Sequence, residues 1–260
     1  MLIMEDEKFG LSFEKIWFWN GKNLQSSAHI LRYLRIDPAL AETLKGQKSY
    51  DVNNTLITDL SQDETYIFST FNKNYRYEIR RAQKEEPDFK VYRARELKEE
   101  MSIVEEFETA YNTFCDTIQN EVVRSNYDHE MIVQFIEKNA IVLTKAVKDN
   151  LVVYHIYVTD GETVVLDYSV SDFRDDNADK AAAGRLNKLL HWKDIMMFKS
   201  EGCKIYDWGN VSGRTSEELN GIDRFKAGFG GVLTKQVSVF VGNSILGNLA
   251  VLARKLQHEG

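Results

Sequence analysis

Residues Gly202 to Gly231 read GCKIYDWGNVSGRTSEELNGIDRFKAGFGG and set an acid, a base and an aromatic ring near a run of glycines. Lys204 to Trp208 has the apolar character of a short buried strand, and Asp207 stands at its end. After a turn-rich loop come Arg224, Phe225 and Lys226, running into Gly228, Gly230 and Gly231. Glycine lets a backbone turn sharply or approach a ligand closely. A lysine beside an aromatic ring, just past a strand end, is suited to stabilising negative charge as it develops in a reaction. The plain alternative is a turn before the strand Val232 to Val241, with Lys226 solvated.

A second group of cations lies upstream. Lys73, Arg76, Arg80 and Lys84 recur at helical spacing and fall within an arc of about 80°. Opposite them runs an apolar stripe of Phe68, Phe71, Tyr75, Ile79 and Ala82. The cationic face is either a solvated outer surface or an anion-binding face for phosphate or diphosphate groups. Arg76, Arg80 and Arg81 are the candidate contacts, because a guanidinium fork donates two parallel hydrogen bonds to phosphate.

Composition restricts the partners. The chain has 260 residues, 28% of them charged, a formal net charge of −7 and a pI near 5.4. That balance argues against broad nucleic-acid binding, including DNA, while leaving room for a local basic patch. MLIMEDEK at the start lacks the apolar core of a signal peptide, and no apolar run reaches membrane-spanning length. A cytoplasmic protein is expected, with Cys115 and Cys203 as reduced thiols. The five histidines show no metal-ligand spacing, so no metal is expected.

The elements that must hold these residues follow from periodicity and turn signals. Strands are predicted near 16–19, 30–36 and 55–60. Ser61 reads as the cap of one helix over 62–84, with Glu64 at the capping-box position. Then come a strand at 89–93, helices at 97–117 and 128–138, and strands at 141–147 and 151–158 joined by Asp149-Asn150. A strand at 163–170, a long helix at 184–200, strand 204–208, a short helix at 216–225 and strand 232–241 follow. A final amphipathic helix at 244–257 carries Ile245, Leu249, Leu252 and Leu256, and is expected to pack that stripe on the domain. Hairpins followed by a strand-helix-strand crossover imply an α/β (α+β) fold, a mixed, mostly antiparallel sheet flanked by helices.

That order resembles the GNAT acyltransferase fold. Three segments are more particularly similar to the FemABX branch, the aminoacyltransferases of peptidoglycan cross-bridges and their relatives in envelope polysaccharide pathways. They are Thr55 to Lys84, Gly184 to Trp208 (GRLNKLLHWKDIMMFKSEGCKIYDWG) and Ile222 to Gly231 (IDRFKAGFGG). The resemblance spans about Thr55 to Lys235. It implies a shortened N-terminal GNAT-like lobe at 1–88, with an acceptor-binding role, and an acyltransferase domain at 89–260. The chain departs from the GNAT pattern at the loop that would cradle acyl-CoA. There it has Lys180-Ala-Ala-Ala183-Gly184-Arg185, preceded by Asp175, Asp176 and Asp179.

The resemblance implies an N-acyltransferase that moves an acyl or aminoacyl group to an amine of a nucleotide- or lipid-linked envelope sugar or peptidoglycan precursor. The co-substrate would be acyl-CoA or aminoacyl-tRNA, with no permanently bound cofactor. Lys226 would act on the oxyanion, with Asp167, Tyr168 and Asp207 as further catalytic candidates. Ala183, Gly184, Arg185 and Phe225 would meet the donor, and Arg76, Arg80, Arg81 and Arg224 the acceptor or its phosphates. Peripheral membrane association is compatible with this reading. The alternatives are a GNAT-like binding module without chemistry, or an RNA-binding protein using the cationic helix face.

Overall fold

A computed structural model of the chain describes residues 1–117, 128–173, 179–211 and 221–259. In chain order the described elements are β1 (Leu2–Lys8), β2 (Leu11–Trp17), β3 (Ile30–Ile36), α1 (Pro38–Glu42), β4 (Lys48–Asp59), α2 (Glu64–Thr70), α3 (Lys73–Gln83), β5 (Asp88–Arg93), α4 (Ala94–Glu99) and α5 (Ser102–Thr117). They continue as α6 (His129–Glu137), β6 (Ile141–Lys148), β7 (Leu151–Thr159), β8 (Thr163–Phe173), α7 (Lys180–Ser200), β9 (Ile205–Val211), α8 (Gly221–Ala227), β10 (Val232–Gly242) and α9 (Ile245–Glu259).

The chain forms two compact units. One comprises Met1–Leu56, Asn210–Asn220 and Leu233–Gly260, the other Ile57–Gly209 and Gly221–Val232. Sequence order alone suggests a division at residue 88. The first unit is assembled from separate stretches of chain: β10 pairs with β3 and α9 packs on β3.

In the first unit the strands lie in the order β1-β2-β3-β10-β4. β1 escapes the sequence pattern because LIMEDEK is acidic and only Met4 is fully buried. It pairs antiparallel with β2 through Phe9 and Gly10, whose φ of 55° and 73° suit a two-residue hairpin turn. Ile16, Leu31, Tyr33, Val239 and Val241 form the core here.

In the second unit the order is β9-β8-β7-β6-β5. The pairings β5·β6, β6·β7 and β7·β8 are antiparallel and β8·β9 is parallel, so the sheet is mixed and mostly antiparallel, as periodicity predicts. Asp149, at φ 54°, turns the β6–β7 hairpin. Successive strand residues face opposite sides. α7 covers one side, with Ala183, Leu186 and Leu190 against Ala146 and Val153. α5 covers the other, with Phe107 against Tyr154 and Tyr168.

Two local expectations are corrected. The single helix over 62–84 is two helices, α2 and α3. Phe71 ends α2 with an extended ψ of 143°, and Asn72 caps α3 by accepting from Tyr75 N–H. The break lets Phe71 bury its ring against Trp192 and Phe229. The cap of α2 is Asp63 rather than Ser61, whose N–H and hydroxyl both donate to Asp59. The predicted helix start at 216 lies outside the described residues.

Candidate functional site

The site is built where β8 and β9 part. Their parallel pairing runs Thr163↔Ile205, Val164↔Tyr206 and Val165↔Asp207. One residue further, β8 bulges. Leu166 pairs with Tyr157 and Tyr168 with Ile156, leaving Asp167 as the extra, exposed residue. Across from it Gly209 sits at φ 74°. A Cβ there would lie 2.6 Å from the Leu166 carbonyl oxygen and 3.4 Å from Lys226 Nζ. Only glycine fits this approach, so the gap between the strands and the ammonium of Lys226 are set together.

α8 delivers Lys226 and Phe225 to this gap, and the chain after it is pinned from two sides. Gly228 fits against the Tyr75 ring, where a Cβ would come within 2.3 Å. Gly230 and Gly231, at φ 76° and 92°, pass close to the Thr70 and Ile57 backbones. The Tyr75 hydroxyl donates to the Phe225 carbonyl at 3.1 Å. Around the lysine stands an aromatic wall of Phe225, Phe229, Trp208 and His191, with ring centroids 4.4–5.6 Å apart. Lys188 lies 4.7 Å over the Tyr75 ring and pairs with Glu78 at 3.0 Å.

Behind the wall is a buried polar chain. Asp194 Oδ2 accepts from the Tyr157 hydroxyl (2.7 Å) and the Thr144 hydroxyl (3.0 Å), and lies 2.7 Å from His155 Nδ1. His155 Nε2 lies 2.9 Å from Asn187 Oδ1. The Tyr157 and Tyr206 hydroxyls are 2.9 Å apart, and Tyr206 reaches His191 Nδ1 at 3.1 Å. The His155 and His191 rings stack at 3.9 Å. Burial, then the nearby His155, Lys226 and Lys188, holds His191 well below the usual histidine range, so its ring is neutral. Burial and Asp194 push Tyr157 and Tyr206 well above the usual tyrosine range. Burial and the neighbouring cations thus keep His191 neutral beside Lys226.

The remaining predicted residues fall at several places. Asp207 is 2% exposed, and its Oδ1 accepts from Gly209 N–H at 2.8 Å, so it shapes the turn beneath Lys226. Tyr168 packs on Phe107 and Tyr111, on the α5 side of the sheet. Burial and Asp167 raise its hydroxyl above the usual range. Ala183 is core. Gly184 lies beside Lys188, whose Nζ donates to its carbonyl at 3.2 Å. Arg185 is 8% exposed and reaches Glu85 at 3.5 Å and Asp179 at 4.0 Å. Asp179 caps α7 by accepting from Ala181 and Ala182 N–H at 2.9 and 3.0 Å, which holds its carboxyl below the usual range. Asp175 and Asp176 lie outside the described residues.

The cationic face is only partly free. Arg76 donates to the Ser69 and Phe71 carbonyls at 2.8 and 2.6 Å, closing the end of α2. The break at Phe71 leaves those carbonyls without helical partners, and Arg76 supplies one. Arg80 is exposed, 5.2 Å over the Phe68 ring, and Arg81 pairs with Glu85 at 3.5 Å. Arg224 is exposed on α8. Sequence patterns miss His155, Tyr157 and Asp194 altogether. The alternation of β7 puts His155 and Tyr157 on one face, but nothing in the sequence places Asp194 under them.

No family model and no curated protein matches this sequence. Among solved structures the chain is similar to the crystal structure of FemX, at 11% identity over 96% of this chain and 86% of that one, with a TM-score of 0.65. It is also similar to the C-terminal domain of a protein from Agrobacterium fabrum described as a lysylphosphatidylglycerol synthetase. There the identity is 12% over 87% of this chain and 72% of that one, with a TM-score of 0.53. At such identities the likeness is one of fold, and the fold is that of FemX.

Proposed function

We propose that this chain transfers an aminoacyl group from an activated ester, the charged end of a tRNA, to an amine of a nucleotide- or lipid-linked envelope precursor. The observation that carries this reading is Lys226 at the mouth of the β8–β9 gap, beside Gly209 and the Asp167 bulge. The neutral acceptor amine attacks the ester carbonyl and a C–N bond forms. Negative charge collects on the carbonyl oxygen, where the Lys226 ammonium stabilises it. The C–O bond to the ribose then breaks, and the proton lost by the amine ends on the leaving oxygen. The neutral, buried His191 adds no competing positive charge beside Lys226.

Two observations favour an ester donor over acyl-CoA. The first amides of α7, which would cradle a pyrophosphate, are already taken by the Asp179 carboxylate. Glu85 and Asp179 pair with Arg185 on the next turn of that helix, at 3.5 and 4.0 Å. The name of one structural neighbour, a lysylphosphatidylglycerol synthetase, specifies an aminoacylated product. Arg80, Arg81 and Arg224 supply the exposed cations for phosphates. Among the described residues no helix is long and apolar enough to cross a membrane.

Calorimetric titration with acetyl-CoA, with charged tRNA and with a UDP-amino sugar tests the donor and acceptor classes. The expected result is binding of charged tRNA and of the nucleotide sugar, with no heat from acetyl-CoA. Tight binding of acetyl-CoA alone would overturn the ester donor. Binding of none of the three would favour a GNAT-like module without chemistry.

A further inference from the structure

The helix α9 is docked the wrong way round for a core helix. Its inner face is small and polar. Gly247 lies so close to β3 that a Cβ would meet the His29 carbonyl oxygen at 1.8 Å, and Asn248 presses on Gly242, where a Cβ would come within 2.5 Å. Val251, 1% exposed, completes that contact. Arg254 locks the rotation. It donates to the Ser49 hydroxyl and the Asp51 carboxylate, both at 2.6 Å, and lies 4.1 Å over the Phe240 ring. With the helix fixed by these residues, its apolar side points outward. Ile245, Leu246, Leu249, Leu252 and Leu256 are 41–83% exposed.

We propose that this stripe is a self-association surface, covered in solution by α9 of a second copy of the chain. The inference stands apart from the proposed chemistry and uses none of its residues. Spacing argues for a helical partner. Ile245, Leu249, Leu252 and Leu256 are separated by four, three and four residues, the interval of a two-helix seam rather than of a broad core face. Charge argues against a lipid surface, which favours Lys and Arg flanking the apolar face. α9 carries two cations, Arg254 and Lys255, and Arg254 is turned inward. Area agrees. The five side chains present about 500 Å² per copy, the size of a functional patch. A twofold pair covers about 1,000 Å², the lower bound of a specific interface. Antiparallel pairing would set Ile245 of one copy against Leu256 of the second and oppose the helix dipoles favourably.

Sedimentation equilibrium of the full chain across the micromolar range tests this, with Leu249→Glu/Leu252→Glu as the variant. Both positions are exposed, so the variant is expected to keep the wild-type circular dichroism and melting temperature. The expected result is a reversible dimer for the wild type and a monomer for the variant. A wild type that stays monomeric throughout, or a dimer that survives the double substitution, would overturn the proposal. Co-sedimentation with anionic phosphatidylglycerol vesicles serves as a second arm. Monomeric wild-type protein that binds vesicles, and loses that binding in the variant, would overturn it in favour of a membrane surface. If the variant fails to fold, Leu249→Cys/Leu252→Cys under oxidising conditions gives the second readout, because antiparallel pairing sets position 249 of one copy against 252 of the second. The expected result is a disulfide-linked dimer, and its absence would overturn the proposal.

Discussion

α7 and α9 carry the same kind of signal in sequence, a leucine stripe at helical spacing, and the structure uses them in opposite ways. Leu186, Leu189 and Leu190 of α7 are at most 3% exposed, whereas Ile245, Leu249, Leu252 and Leu256 of α9 are at least 41% exposed. The residues between the leucines decide which. On α7 the flanking positions include Asn187, His191 and Asp194, which find partners on β7 and β9, so polar and apolar groups are buried together. On α9 the flanking positions are Gly247, Asn248 and Arg254, which dock closer than leucine could. A stripe shows that an apolar surface exists. The small and charged residues beside it show which side faces the sheet.

The sharpest way to break this comparison is Asp194→Ala. It removes the acceptor for Tyr157 and Thr144 and the partner of His155, all buried. A loss of about 3–5 kcal/mol of stability is expected, measured by urea unfolding. Next is a matched pair of truncations. Leu189→Ala on α7 is expected to cost about 2–5 kcal/mol. Leu252→Ala on α9, measured at protein concentrations dilute enough to keep the chain monomeric, is expected to stay within about 0.5 kcal/mol. Equal costs for the two would erase the difference between the helices.

A further effect is a pH dependence. His191 is neutral in the fold, with its pKa held below the unfolded value of 6.5. Above that pH neither state is charged and its contribution is complete. As pH falls below 6.5 the unfolded chain takes a proton that the fold refuses, and stability drops by about 1.4 kcal/mol per pH unit. The carboxylates with lowered values, Asp6, Asp59 and Asp179, begin to matter only nearer their unfolded value of 3.8. Urea midpoints between pH 6.5 and about 4.5 are therefore expected to fall less in His191→Gln than in the wild type. Identical slopes would mean that His191 is not kept neutral by its surroundings.

Much of this architecture is legible in the chain. The β6–β7 hairpin, the long crossover helix and the order of elements around β8 and β9 follow from alternation and turn residues. Lys226 stands out because an ammonium, a ring and three glycines crowd into a few positions. Other features depend on three-dimensional closeness that no local pattern encodes. Asp194 lies 39 residues from His155 and meets it only when α7 packs on β7. Arg76 matches an anion-binding face in sequence, but no local pattern shows that it also donates to the Ser69 and Phe71 carbonyls at the break between α2 and α3. Gly209 gives no periodic signal at all; its role appears only beside the Leu166 carbonyl.

The central claim is that Lys226 stabilises the oxyanion of an aminoacyl transfer at the β8–β9 gap. The direct test is the single-turnover rate of labelled aminoacyl transfer from charged tRNA to an amine-bearing nucleotide-linked precursor, in wild type and in Lys226→Ala. The account predicts a fall of about 10²- to 10³-fold with an unchanged melting temperature. A variant that transfers at close to the wild-type rate would contradict it.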